Sequence, residues 1–172
     1  MPFAYYNRLS PARQAIYRRS DAITTISLPA ARDLLPLLHP LSAALVEESP
    51  RLVQQACQDI ADEMLRQLQV PLVQVIVLDA RPSDSYGELH GLYEPSEPPY
   101  LSRVTLWMRT AHREQVVAFR TFLRTLLHEL LHHLDYEHFE LPETFHTAGF
   151  YKRESSLYRQ IKTASKGSLA SS

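Results

Sequence analysis

The amino-acid sequence predicts an α+β domain, on two observations. Helical periodicity fills much of residues 11–68 and returns at about 113–136, whereas short runs rich in β-branched residues are confined to the stretch between them. At 172 residues with 45% apolar side chains, the chain suits a single domain with a sizeable core. That domain is expected over residues 1–161, helical to residue 70 with a core from 71 onward. From 162 a small polar tail ending TASKGSLASS is expected to be disordered.

Each element has a local cause. Ser10-Pro11 supplies an N-cap and a first-turn proline, so ARQAIYRR starts a short helix with a solvated arginine face. Pro29, Pro36, Pro40 and Pro50 are expected to break residues 28–50 into short wrapping pieces, because each removes a backbone donor and disfavours helix before it. Ser49-Pro50 repeats the cap signal. Leu52, Ala56, Ile60, Met64 and Leu68 then recur every four residues, flanked by Val53, Cys57, Ala61 and Leu65, which predicts an amphipathic helix ending near Pro71. LVQVIVLDA predicts a buried strand, and SYGELHGLYE and SRVTLWM predict two more, separated by the loop EPSEPPY. The last long helix carries Phe119, Leu123, Leu126, Leu127, Leu130 and Leu134 on one stripe.

Composition narrows the function classes. Eighteen basic against 19 acidic side chains leave a formal charge of −1, so no field favours a polyanion and no nucleic-acid partner is expected. The one cysteine, Cys57, cannot form an internal disulfide or a Cys-rich zinc ribbon. With no secretory apolar region, it suggests the cytoplasm. No apolar run approaches the roughly 20 residues that span a bilayer, so no membrane partner is expected. Oligomeric state is not encoded visibly.

The chemistry concentrates in HELLHHLDYEH, residues 128–138. At about 100° per residue, His128, His132 and Asp135 fall within about 60° of one another, almost opposite the leucine stripe. The polar stripe, continued by Thr121 and Thr125, would line a cleft. Histidines four apart on a helix can reach one zinc ion, and the residue after the first, Glu129, stands where a carboxylate can take a proton from water and pass it to a leaving amine. This is the HExxH arrangement. A catalytic zinc keeps three protein ligands and an open position, and His138, Glu143, His146 and Glu154 are candidates for the third. His138 has metzincin spacing, but Asp135 stands where that pattern turns on glycine, and no methionine follows Met108. Asp135 could accept a hydrogen bond from a metal-bound imidazole. His133 is read as a packing or surface residue, and RESSLYRQ, with Arg153 and Glu154, as a solvated helix face unless Glu154 is a ligand. Tyr151, His90 and Tyr93 are candidate donors to an oxyanion.

HELLH followed by HTAGF resembles the SprT-like and WLM zinc metallopeptidases, and is similar to small bacterial metallopeptidases that read HExxHHLDY followed by FHTxGFxxRES. The resemblance covers roughly residues 100–160. It implies a zincin-like fold, a small, mostly antiparallel twisted sheet of about three strands packed on an HExxH helix, to which the periodicity of residues 11–68 adds N-terminal helices that the resemblance does not explain. It implies Zn²⁺ held by His128, His132 and His146, Glu129 as general base, and a peptide or protein substrate. In zincins an edge strand commonly holds substrate backbone, a role open to SRVTLWM or YGELHGLYE. Two other readings stand beside it. HELLHHLDYEH also resembles HGxLHLxGYDH of the bacterial rRNA-maturation endoribonucleases, with His138 as third ligand and Glu129 in place of a glycine. A non-catalytic metal-binding protein would instead close the site with a fourth ligand, for instance His138 together with His146.

Overall fold

The computed structural model describes residues 2–80, 91–110 and 115–167 in full and the backbone of 83–84, 87–88 and 168–169. Helix α1 (Pro11–Ala22) begins at Ser10, whose side-chain oxygen accepts the Arg13 N–H. Helix α2 (Leu35–Val46) occupies the segment expected to be broken by proline. Pro36 lies in its first turn, where the missing N–H would have had no partner, and Pro40 forfeits one interior hydrogen bond. Burial of Leu41, Ala44 and Leu45 against the next helix offsets that loss. Helix α3 (Pro50–Gln67) is capped by Ser49 and buries the predicted stripe from Val53 to Leu65.

Strands β1 (Val73–Ala80), β4 (Gly91–Glu94) and β5 (Ser102–Arg109) form one sheet in the order β1-β5-β4, and β2 (Ser83–Asp84) pairs with β3 (Gly87–Glu88) in a separate two-stranded ribbon. The sheet is mixed, which corrects the expectation of a mostly antiparallel one. β4 and β5 are antiparallel, and β5 is parallel to β1. The cause is order of insertion. The chain leaving β1 passes beyond its neighbouring position to lay down β4 antiparallel, and the return strand then fills the gap and runs with β1. Val104, Thr105, Leu106, Trp107 and Met108 are all buried, the unbroken pattern of a central strand covered on both faces. β1 is an edge strand, and α3 closes its outer side: Gln58 accepts from Val75 N and donates to Val73 O, both at 2.9 Å, while Gln54 accepts from Val77 N at 3.0 Å. Two glutamines thus satisfy an edge that could otherwise pair with another chain.

Helix α4 (Phe119–Glu137) starts some six residues later than its periodicity suggests. Val117 N donates to Met108 O at 2.8 Å and Thr110 N to Gln115 O at 2.9 Å, so residues 115–117 pair with the end of β5 instead of coiling. Leu126, Leu127, Leu130 and Leu134 of α4 are fully buried in a core shared with α2, α3, β1 and β5. Helix α5 (Ala148–Leu169) packs on α4 and continues well past residue 162, where the sequence was expected to fall into a polar tail. Among the described residues no helix is long and apolar enough to cross a membrane.

Candidate metal centre

One face of α4 and the start of α5 meet at three imidazoles. The spacing of four puts His128 and His132 on successive turns of α4, turned away from the leucines. His146 arrives from the loop between α4 and α5, and its position depends on how α5 begins. Thr147 is the cap: its hydroxyl oxygen accepts the Phe150 N–H at 2.9 Å, and its carbonyl oxygen accepts from Tyr151 N. Gly149 lets α5 start against the end of α1, because a Cβ there would lie 2.4 Å from the Asp21 carbonyl oxygen. Phe150 then lies beneath all three rings, its centroid 5.0 Å from His128, 4.7 Å from His132 and 5.2 Å from His146. HTAGF therefore encodes a ligand candidate, its cap, a close backbone approach and the floor of the site.

The Nε2 atom of His146 lies 3.0 Å from Nε2 of His128 and 3.0 Å from Nε2 of His132. The other ring nitrogens are committed. His128 Nδ1 is 3.0 Å from Glu154 Oε2, and a carboxylate can only accept, so Nδ1 carries the proton. His132 Nδ1 is 2.8 Å from Thr144 Oγ1, whose own proton goes to Asp135 Oδ2 at 2.8 Å, so this Nδ1 is also the donor. Burial, then the neighbouring His128, His146 and Arg153, push the His132 pKa down to about 3, which keeps the ring neutral. With Nδ1 the donor in both rings, Nε2 is the nitrogen each has left to present a lone pair to His146 Nε2, and one proton on that nitrogen could satisfy one such lone pair and not both. A cation satisfies all three. Ligand nitrogens around a tetrahedral ion at about 2.0–2.1 Å stand roughly 3.3 Å apart, close to the spacing here. The donor set fits zinc, and other first-row metals share its taste for imidazole.

Glu129 is 6% exposed and lines the same cleft. Burial pushes its pKa up to about 7, with His128 opposing and Glu154 reinforcing the shift. Its carboxylate reaches the site because residue 91 is glycine: a Cβ there would lie 2.7 Å from both Cγ and Oε1 of Glu129. The cleft, of about 650 Å³, runs from Tyr136 and Thr144 past the histidines to Thr121 and Thr125, with β4 and Pro95 along its rim. β5 is paired on both sides, so among the described residues β4 is the strand that borders the cleft as an edge.

The remaining candidates lie elsewhere or act through a ligand candidate. His138 ends α4 with its ring edge-on to Phe139. Glu143 pairs with Arg13. Glu154 holds His128, and Arg124 Nη2 donates to its other oxygen at 2.9 Å. RESSLYRQ is correspondingly less solvated than expected: Arg153 is 0% and Glu154 8% exposed. Arg153 donates to Asp135 at 2.8 Å, to Ser20 O at 2.6 Å and to Ile23 O at 2.5 Å, tying α5 to α4 and to the end of α1. His133 is 1% exposed and packs internally, donating Nε2–H to Pro71 O at 2.7 Å. Its Nδ1 therefore accepts, and the Tyr93 hydroxyl at 3.0 Å spends its proton there. Tyr151 faces His146 with ring centroids 5.8 Å apart, and His90 lies outside the described residues. Sequence reasoning missed Thr144, the link from His132 to Asp135, and Gly91. Neither has a local signal, since each is defined by a partner many positions away.

No protein-family model matches this chain, and neither the curated proteins nor the solved structures compared with it include a match.

Proposed function

We propose that the protein is a zinc-dependent metallopeptidase of zincin-like, SprT/WLM-like type, hydrolysing peptide bonds in a peptide or protein substrate. The observation that carries this is the convergence of three Nε2 atoms, that of His146 3.0 Å from each of the other two, with the Nδ1 protons of His128 and His132 already committed, beside a buried carboxyl group in an open cleft.

His128, His132 and His146 would hold the ion. A zinc there supplies Lewis acidity and makes water more acidic. Glu129 takes the proton from the attacking water as its oxygen bonds to the scissile carbonyl carbon. It then delivers that proton to the amide nitrogen as the C–N bond breaks, leaving a carboxylic acid and an amine. A group whose pKa is lifted towards 7 suits both halves of this exchange. Glu154 and the Thr144–Asp135 pair keep the imidazoles in one tautomer and orientation. Tyr151 is the remaining candidate for a hydroxyl donor to the carbonyl oxygen as it gains charge. The β4 edge can hold substrate backbone in extended form. The ribonuclease reading needs His138 as a ligand, and its ring is packed on Phe139 instead.

The test is metal content per chain after mild chelation, without a histidine tag. His146→Ala is expected to lose the ion and His138→Ala to keep it. Wild type then cleaves a mixed peptide library and Glu129→Gln does not. Retention by His146→Ala, or loss by His138→Ala alone, would overturn the assignment.

A further inference from the structure

His146 lines two cavities. One is the cleft over α4. The other, of about 500 Å³, is walled by Phe3, Tyr5, Arg8 and Tyr151 together with His146. Its nearest wall is close to the metal centre, since the Tyr151 ring is 5.8 Å from the His146 ring and 6.2 Å from the His128 ring. One extended residue advances a peptide by about 3.3–3.6 Å, so the cavity lies within a residue or two of any group held at the Nε2 cluster.

The walls are aromatic and already ordered. Phe3 and Tyr5 stack with centroids 6.3 Å apart and an interplanar angle of 7°, and Phe3 meets Tyr151 edge-on at 6.2 Å. The Phe3 amide donates to the Tyr17 hydroxyl at 3.0 Å, and the Tyr5 hydroxyl donates to the His146 carbonyl at 2.8 Å. The second bond ties the cavity to the backbone of a proposed ligand. Phe3 and Tyr151 are each 42% exposed, large apolar surface left open beside the site. Among the described residues of the lining Arg8 is the one Lys or Arg side chain, and no acidic side chain stands with it. Flat apolar walls with a single guanidinium suit an aromatic group followed by an anion.

We propose that this cavity is the subsite for a large aromatic residue next to the bond being cut, with Arg8 pairing a carboxylate just beyond that residue. As a substrate pocket it rests on the peptidase reading, but the recognition of an aromatic carboxylate does not require cleavage. The probes are therefore N-acetyl-phenylalanine and N-acetyl-alanine, titrated into the zinc-loaded full chain and followed by NMR. The aromatic probe is expected to bind at least tenfold more tightly and to shift resonances of Tyr5, Tyr151 and His146. Phe3→Asp removes the preference, and Arg8→Glu weakens the aromatic probe at least tenfold, with zinc content unchanged in both variants. Equal affinity for the two probes, or a preference that survives Phe3→Asp, overturns the proposal. If the preference holds while wild type cleaves no peptide, the peptidase reading falls and the aromatic site stands.

Discussion

Replacing Arg153 by methionine tests how the site is braced. The guanidinium is fully buried and pairs at 2.8 Å with Asp135, also fully buried, while bonding two carbonyl oxygens at the end of α1 and the Ser20 hydroxyl at 3.1 Å. Methionine keeps an unbranched stem out to about the position of Nε and removes every donor. Asp135 then holds only the Thr144 hydroxyl, and its charge stays out of water uncompensated. Breaking one side of a buried pair costs about 3–5 kcal/mol, and the orphaned carbonyl oxygens act in the same direction. For a chain of this size each kcal/mol moves Tm by about 2–4 °C, so Arg153→Met should melt roughly 6–20 °C below wild type. The double variant Asp135→Asn with Arg153→Met leaves no unpaired charge and should recover part of that loss. Calorimetry on metal-free protein reads both. An Arg153→Met Tm within about 2 °C of wild type, or a double variant less stable than the single, would refute the reasoning.

Three further outcomes follow from the geometry. Thr144→Val removes the acceptor for His132 Nδ1–H and should weaken zinc about 10–100-fold in competition with a chelating dye, the usual range for such outer partners. Gly91→Ala drives a methyl group to within 2.7 Å of Glu129, so peptide cleavage should fall at least tenfold while metal content, measured by mass spectrometry, stays at the wild-type level. In metal-free protein, burial lifts Glu129 from 4.5 to about 7, so the folded state holds a proton that the unfolded state loses as pH rises between those values. Stability from this group is thus present below pH 4.5 and lost through pH 7, and Glu129→Gln should gain up to about 3 kcal/mol over wild type above pH 7, vanishing near pH 4.5, in urea titrations. A gain of equal size at both ends would mean that the carboxyl group is not desolvated.

Much of the site was legible because its parts are periodic. The spacing of four that stacks His128 over His132 is helix geometry, and the leucines opposite them say which way they face. Cap signals at Ser10 and Ser49 worked for the same reason: a hydroxyl and the N–H three residues on need nothing from the rest of the chain. Local rules misplaced α2, where packing on α3 outweighs Pro40, and the start of α4, where residues 115–117 pair with the end of β5.

What the sequence determined by itself was the α+β order of elements, the polar face of α4 and a short set of candidates for a third ligand. Only the tertiary structure shows which of them lies beside the two helical imidazoles. His138, Glu143, His146 and Glu154 are all plausible donors by type, but only the loop closed by Thr147, and clamped to α1 through Gly149, carries one of them to the two helical imidazoles. It also decided that β5 lies between β1 and β4, that Glu154 steadies His128, and that Gly91 makes room for Glu129. The physical reason is range. Periodicity and capping are settled within a turn or two of chain, whereas these pairings join residues as far apart as Asp21 and Gly149 and exist only once the core has closed.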